Sequence, residues 1–266
     1  MEQLDKDRLF LIALELDLPS LLRFCETNKR ISNIICGQPH IWVRKLKKDF
    51  DYITSQKDYS KAKEIYKIIY TLKNFNMLTE AINFGSLSLV KYVYYYVRGK
   101  NRKMLDYRKD EYFIQAVKEN KGDIADFFIS EGAKAFDAAF LTSVENNNFE
   151  MIQKFLKLLK NKTLLNKSLN KAAKNGNVQV VNYLLNNGAD DMEEGLQGAA
   201  EGGHEELVDF FISKGATNWD LALVDAITGG NKNIISKLIS KVDRNYLRYA
   251  KRQASTKPEL LNLFPK

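Results

Sequence analysis

Two histidines, His40 and His204, and two cysteines, Cys25 and Cys36, are the chain's whole stock of imidazole and thiol. None of the four stands at a Cys/His spacing that builds a metal site. No Gly-x-x-x-x-Gly-Lys-Ser/Thr loop cradles a phosphate. A nucleophile–base pair would need a histidine, and neither histidine lies in such a motif. The expectation is therefore a chain that is not an enzyme and has no catalytic centre, no metal and no cofactor. His204 falls in a turn between helices and His40 stands two residues before Trp42; structural or solvated roles are predicted for both. The cysteines read as buried packing. Their scarcity predicts a reducing, intracellular location, cytoplasmic or nuclear. Two charge clusters stand out. Asp190-Asp191 with Glu193-Glu194 reads as a solvated loop or, more sharply, as a contact to a basic partner. Arg98-Gly99-Lys100-Asn101-Arg102-Lys103, continued by Arg108-Lys109, reads as an inserted surface loop. Phosphate contact or a nuclear-import signal is the sharper reading there.

The elements that carry these residues must come from a packed chain. Apolar residues make up 45% and charged residues 28% of the 266 positions, which excludes a disordered composition. No apolar run is long enough to cross a membrane. The opening residues lack the basic start and apolar stretch of a signal peptide. The net charge of +8 is unevenly spread. Residues 1–60 carry 10 Lys/Arg and 9 Asp/Glu, and residues 61–110 carry 11 and 4. Residues 111–240 carry 13 and 18, and residues 241–266 carry 7 and 2. A nucleic-acid binder concentrates positive charge along one face, and an acidic middle argues against that class.

Internal repeats organise most of the sequence. Ser168 to Gly176 and Gly195 to Gly203 follow one pattern, and Val180 to Ala189 matches Leu207 to Ala216. A small residue anchors each unit: Ala81, Ala116, Ser143, Ala172, Ala199 and Ala226, with a shortened unit at Ala250. The first five spacings are 35, 27, 29, 27 and 27 residues. An apolar residue stands three before each anchor, and others recur eight and twelve after it. Spacings of three and four are helical, so each unit holds two short helices. Gly85, Asn120, Asn147, Gly176, Gly203 and Gly230, four after the anchors, can take the left-handed conformation that ends a helix. Gly132, Gly188 and Gly215 end the second helices. Six or seven stacked helix pairs are predicted, with the small anchors letting helices approach closely.

The Leu-x-x-Ala-Ala-x-x-Gly, Val-Val-x-x-Leu-Leu and Gly-Ala segments resemble the ankyrin repeat family, from about Leu78 to Phe264. The period of 27 rather than 33 implies short fingers, similar to the short ankyrin arrays of large DNA viruses and some protists. The unit from Ser143 lacks its Gly-Ala. The expected fold is all-α: an ankyrin-type helix-pair solenoid with short fingers, preceded by a small helical head. The expected domains are a head at 1–48, a connecting helix at 49–76 and the array at 77–266. Helices are predicted at 6–14, about 19–27, near 30–36 and from Pro39. The connecting helix carries Ala62, Ile65, Ile68, Ile69 and Leu72 at helical spacing.

The head's Leu18, Leu21, Leu22, Phe24, Cys25, Asn28, Lys29, Arg30, Ile31, Ile35 and Trp42 resemble an F-box in kind and order. A plain helical cap on the stack is the alternative. The F-box resemblance implies binding of a Skp-type adaptor through Leu18, Leu21, Leu22 and Ile31. The repeats imply a protein partner on the concave face, the surface ankyrin proteins generally use. With Leu169, Ala172 and Ala173 facing the core, Asn170, Lys171, Lys174, Gln197, Glu201, Val224, Asp225 and Thr228 face outward. Trp219 shares its place with Phe136, Leu165 and Met192, seven before their anchors, and reads as finger packing. The expected function is protein binding, as a substrate receptor linking a bound protein to a Skp/cullin ubiquitin ligase. A plain scaffold or inhibitor, and a nucleic-acid-associated protein using the basic segments, are the alternatives.

Overall fold

A computed structural model describes residues 6–27, 29–50, 52–71, 77–159 and 161–265. They form two compact units, residues 1–134 and 135–266. Among the described residues there is no strand, and no helix is long and apolar enough to cross a membrane.

Four helices open the first unit: α1 (Lys6–Glu15), α2 (Leu18–Glu26), α3 (Lys29–Ile31), which runs into a π-helical turn at Ser32–Cys36, and α4 (Pro39–Phe50). Pro19 sits in the first turn of α2, where its missing N–H costs nothing, and Asp17 caps that helix by accepting the Ser20 N–H at 2.9 Å. The core of this head is small: Leu9, Ala13, Leu21, Ile35, Ile41, Trp42 and Leu46 are almost wholly buried. Lys45 is also buried. Its ammonium donates to the carbonyls of Leu14 (3.1 Å) and Leu16 (2.6 Å) and pairs with Asp49 at 2.7 Å. A cation is thereby placed on the carbonyl end of α1, where the helix dipole favours it. Cys25 and Cys36 are buried as expected, but they also form a disulfide across a Cα separation of 5.9 Å. Spacing alone does not reveal that α2 and the π turn bring them face to face. The pairing removes scarcity of cysteine as an argument for a reducing compartment.

The connecting helix is α5 (Ala62–Thr71), with Ala62, Ile65 and Ile69 buried and Ile68 half-buried; Leu72 lies outside the described residues. Tyr66 on α5 packs its ring against Trp42 and Phe50, so head and connector share one core. Two helix pairs complete the first unit: α6 (Met77–Phe84) with α7 (Leu87–Lys100), and α8 (Arg102–Lys118) with α9 (Gly122–Ser130). The expected basic loop does not exist. The extra residues of the 35-residue spacing lengthen α7 and α8, and Asn101 alone separates them, capping α8 through its bond to the Met104 N–H. The basic residues sit on these helices, where Arg98 pairs with Glu131, Arg102 and Lys109 with Asp106, and Arg108 with Glu111. The sequence lacked a breaker strong enough to make a loop there: Gly99 is accommodated inside α7, and Asn101 interrupts the helices for one residue only.

Four pairs and a last inner helix form the second unit. They are α10 (Phe136–Glu145) with α11 (Phe149–Leu156), α12 (Lys162–Lys174) with α13 (Val178–Asn186), α14 (Met192–Gly202) with α15 (Glu205–Ser213), α16 (Trp219–Gly229) with α17 (Lys232–Ile239), and α18 (Arg244–Gln253). Two 3-10 segments, Ala254–Thr256 and Pro258–Leu263, follow.

The repeat register holds at every anchor. Ala81, Ala116, Ser143, Ala172, Ala199, Ala226 and Ala250 have no exposed surface. The apolar residues three before the anchors, from Leu78 to Leu223, are buried, as are those eight and twelve after them. Each large one contributes roughly 1.5–3 kcal/mol on burial. All six turn positions four after the anchors take positive φ, from 55° at Asn120 and Asn147 to 82° at Gly203, and Gly132, Gly188 and Gly215 do the same at 90° to 103°.

Three glycines bring inner helices of the second unit into backbone contact. A Cβ on Gly198 would lie 2.1 Å from the Asn170 carbonyl oxygen, one on Gly202 2.2 Å from that of Lys174, and one on Gly229 2.1 Å from that of Glu201. The close approach expected of the anchors is thus made by glycines on the adjoining helix face.

Candidate functional site

Two polar ladders hold the second unit in register and decide which side chains are left for a partner. One runs through residues five after the anchors, just past the first helix. His204 Nε2 lies 3.0 Å from the Lys174 carbonyl, and Asn231 Nδ2 donates to the carbonyls of Ala200 (2.7 Å) and Glu201 (2.9 Å). Each covers carbonyls that the end of the preceding inner helix leaves unpaired. His204 is structural, as the sequence implied. His40, in the first unit, stacks on Phe10 at 5.1 Å.

The second ladder runs six before the anchors. Asn166 accepts the N–H groups of Asp190 (3.0 Å) and Asp191 (3.3 Å), and Glu193 accepts those of Thr217 and Asn218, both at 2.8 Å. Asp191 caps α14 by accepting the Glu194 N–H at 3.1 Å. Asp190 pairs with Lys162, and that cation with the Asn166 amide holds its carboxyl below the usual range. Asp190, Asp191 and Glu193 therefore make internal contacts across and within repeats. The remaining acid, Glu194, belongs to the face described next.

The front of the inner helices is what remains. On α12, Lys167, Asn170, Lys171 and Lys174 lie three or four apart and form one stripe. Glu194, Gln197 and Glu201 form the stripe of α14, and Leu221, Val224, Asp225 and Thr228 that of α16. Contacts join the stripes. Lys171 pairs with Glu145 at 2.5 Å, and Lys174 with Glu201 at 2.5 Å. The Asn170 amide donates to the Glu194 carbonyl at 3.0 Å. The eight outward residues named from the sequence thus lie on one face, though not as free groups. Asn170 and Gln197 are half-buried, and Thr228 is exposed with its hydroxyl on the Val224 carbonyl.

Asp225 stands apart on this face. It is half-buried, and among the described residues no hydrogen bond or ion pair compensates it. Burial pushes its carboxyl up to about 6, the Glu201 and Glu194 carboxylates push the same way, and Lys174 opposes them. Beside it Leu221 is 45% exposed and Val224 half-buried. Sequence reasoning passed over Leu221 and placed Glu194 in an acidic loop cluster rather than on this face, although both stand five before their anchors, in the place Lys167 holds on α12. Trp219 is half-buried with the Lys241 ammonium 4.9 Å from its ring centroid, which agrees with packing at the finger.

The head residues named as adaptor contacts require a correction. Leu18, Leu21 and Ile31 are at most 5% exposed and Leu22 is half-buried. A cluster of helices this short needs its leucines for its own core, so matching order along the chain does not make them surface. Among the described residues of the head, the exposed large apolar side chains are Leu11 (61%) and Ile12 (40%) on α1.

Among the described residues no group of three or more His, Cys, Asp or Glu side chains is placed to hold a metal ion. A family model of ankyrin repeats, in three copies, matches residues 169–248, so the chain contains ankyrin repeats and with them the features of a protein–protein interaction module. No curated protein and no solved structure matches the chain.

Proposed function

We propose that the front face of α12, α14 and α16 is the docking surface for another protein, and that the chain acts by binding rather than by catalysis. The observation that carries this reading is the Asp225 carboxylate, which has no partner among the described residues and lies beside the exposed Leu221. An uncompensated, half-buried charge next to apolar surface costs stability in the free protein. A partner's cationic or amide donor, arriving with an apolar neighbour, would relieve that cost and exclude water from both. The alternation of Lys171, Lys174, Glu201 and Asp225 suits a hydrogen-bonded protein surface better than a run of phosphates.

The experiment is affinity capture with the full chain, compared with a variant in which Lys171, Glu201 and Asp225 are replaced together and which melts normally. A partner retained by the native chain and lost from the variant supports the face. Equal retention by both places the site elsewhere.

A finer reading makes the protein a substrate receptor: the head docks on a Skp-type adaptor of a cullin ubiquitin ligase, and the repeats hold the substrate. Its support is the row of short helices α1 to α4 and the exposed Leu11 and Ile12 on α1. It places the protein inside the cell, and it must accommodate the Cys25–Cys36 disulfide, which reducing compartments disfavour. Changing Leu11 and Ile12 together to Asp in the full chain should abolish adaptor capture without lowering Tm. Absence of capture by the native chain leaves a plain scaffold or inhibitor.

A further inference from the structure

On α18 the repeat pattern changes chemistry. In two preceding units the residues six before and one after the anchor face the next repeat, and on α12 the residue two before it also reaches across. Asn166 accepts the Asp190 N–H, Asn170 donates to the Glu194 carbonyl, and Ala173 is fully buried. Glu193 likewise accepts the Thr217 and Asn218 N–H groups, and Ala200 is fully buried. Counted from Ala250, the same three places on α18 hold Arg244, Arg248 and Lys251. The described residues after α18 form 3-10 turns rather than another finger and helix pair, and Arg244 and Arg248 stay exposed.

A cavity of about 400 Å³ opens at this place, lined by the three cations together with Leu247, Phe264 and Pro265, and by no acid. The Lys251 ammonium donates to the Pro265 carbonyl at 2.8 Å. Among the described residues no carboxylate lies within ion-pair distance of Arg244 or Arg248. Two guanidinium groups four apart on one helix face repel each other. A carboxylate accepting from the forked donors of an arginine relieves that repulsion, with geometry no lysine pair offers. A polar face where helix pairs give way to 3-10 turns is enough for solubility. Two exposed guanidinium groups with Lys251 in a cavity that has an apolar wall go further, because they select both the sign of a ligand and an apolar component in it.

We propose that this face of α18 binds an acidic peptide segment of a protein partner, its carboxylates on Arg244 and Arg248 and an apolar side chain of the same segment against Leu247 and Phe264. The site is separate from the front face carrying Asp225. The apolar wall favours a peptide over a nucleic-acid strand, whose phosphates would engage the cations alone.

The test is fluorescence anisotropy of the full chain with a labelled peptide of Glu and Asp residues around one Phe. Comparison probes are its Gln/Asn counterpart, its Phe-to-Ser counterpart and a twelve-nucleotide oligo(dT). Saturable binding of the acidic peptide is expected. It should weaken at least about tenfold in Arg244→Gln/Arg248→Gln, and be lost with the Gln/Asn peptide. Removing the Phe should weaken it about threefold or more, probing the wall without altering the protein. The variant lacking Lys171, Glu201 and Asp225 should bind the peptide as the native chain does, which keeps this test separate from that of the front face. The proposal is overturned by any of three results: no binding of the acidic peptide, equal binding by the double arginine variant, or oligo(dT) binding more tightly while the Phe makes no difference.

Discussion

Replacing Gly198 by Ala tests whether helix contact in the second unit rests on missing side chains. Gly198 lies inside α14, where alanine is the better helix former by about 1 kcal/mol. Propensity alone therefore predicts stabilisation. The added Cβ, however, would lie 2.1 Å from the Asn170 carbonyl oxygen, 2.8 Å from its carbon and 3.0 Å from its Cα. All three are backbone atoms of α12, so no rotamer change makes room. α12 and α14 must separate by about 1 Å to restore ordinary contact. That separation strains the Asn170–Glu194 hydrogen bond across the same joint, 3.0 Å long and worth about 1 kcal/mol. It also loosens the packing of Ala173 and Ala200, both fully buried. Overpacking costs typically about 1–3 kcal/mol, and the lost bond adds to it, so a net loss of about 1–3 kcal/mol remains after the propensity gain. Gly99→Ala is the matched control: that glycine is exposed in α7 with nothing within 4 Å of the added Cβ, and the change should stabilise by about 0.5–1 kcal/mol. Denaturant melts followed by circular dichroism at 222 nm read both. Opposite signs support the backbone contact. If Gly198→Ala stabilises as Gly99→Ala does, the helices do not touch there.

Three further outcomes follow from the same geometry. Ala199→Leu forces a large side chain into a place with no exposed surface, and should cost about 1–3 kcal/mol in denaturant melts; no loss would mean the repeat register is wrong. Asn231→Ala removes the donor that covers the Ala200 and Glu201 carbonyls, and should lower stability by about 1–2 kcal/mol; an unchanged melting midpoint would show that water serves those carbonyls as well. Asp225→Asn should act only above about pH 4. Because folding raises this carboxyl from 3.8 to about 6, the folded chain binds more protons within that window, and the penalty on the charged form grows as pH rises through it. The variant should match the native chain below about pH 4 and exceed it by about 1 kcal/mol at pH 8, solvent screening included; equal stability at both pH values would contradict the assigned burial.

The residues that made the fold legible are those whose physics is local. A small anchor with Leu or Phe three before it defines a buried helix face, and Gly or Asn four after it defines a left-handed stop. Both act within a few residues, so a single sequence displays them. What stayed hidden acts between distant residues. Asn166 and Glu193 accept N–H groups 24 or 25 residues onward, and nothing in apolar periodicity marks an acid as a rung. Gly198, Gly202 and Gly229 look like weak points of a helix until the neighbouring carbonyls are placed. Cys25 and Cys36 pair because a π turn follows α3, a feature without a composition signature. Leu18, Leu21 and Ile31 fit the order of an interaction motif, but a head this small buries them. Of the front face, the sequence identified the outward positions by helical counting. It could not show that Lys171 and Lys174 are already paired while Asp225 is not.

In the function proposed, α12, α14 and α16 present the docking face. Hydroxyl-radical footprinting of the full chain, alone and with its captured partner, tests it most directly, because exposed aliphatic side chains are oxidised in proportion to their access. Leu221 and Val224 should lose reactivity on complex formation, while the exposed Leu158, also in the second unit, should be unchanged. Undiminished oxidation of Leu221 and Val224 in a complex shown to be fully formed would contradict it.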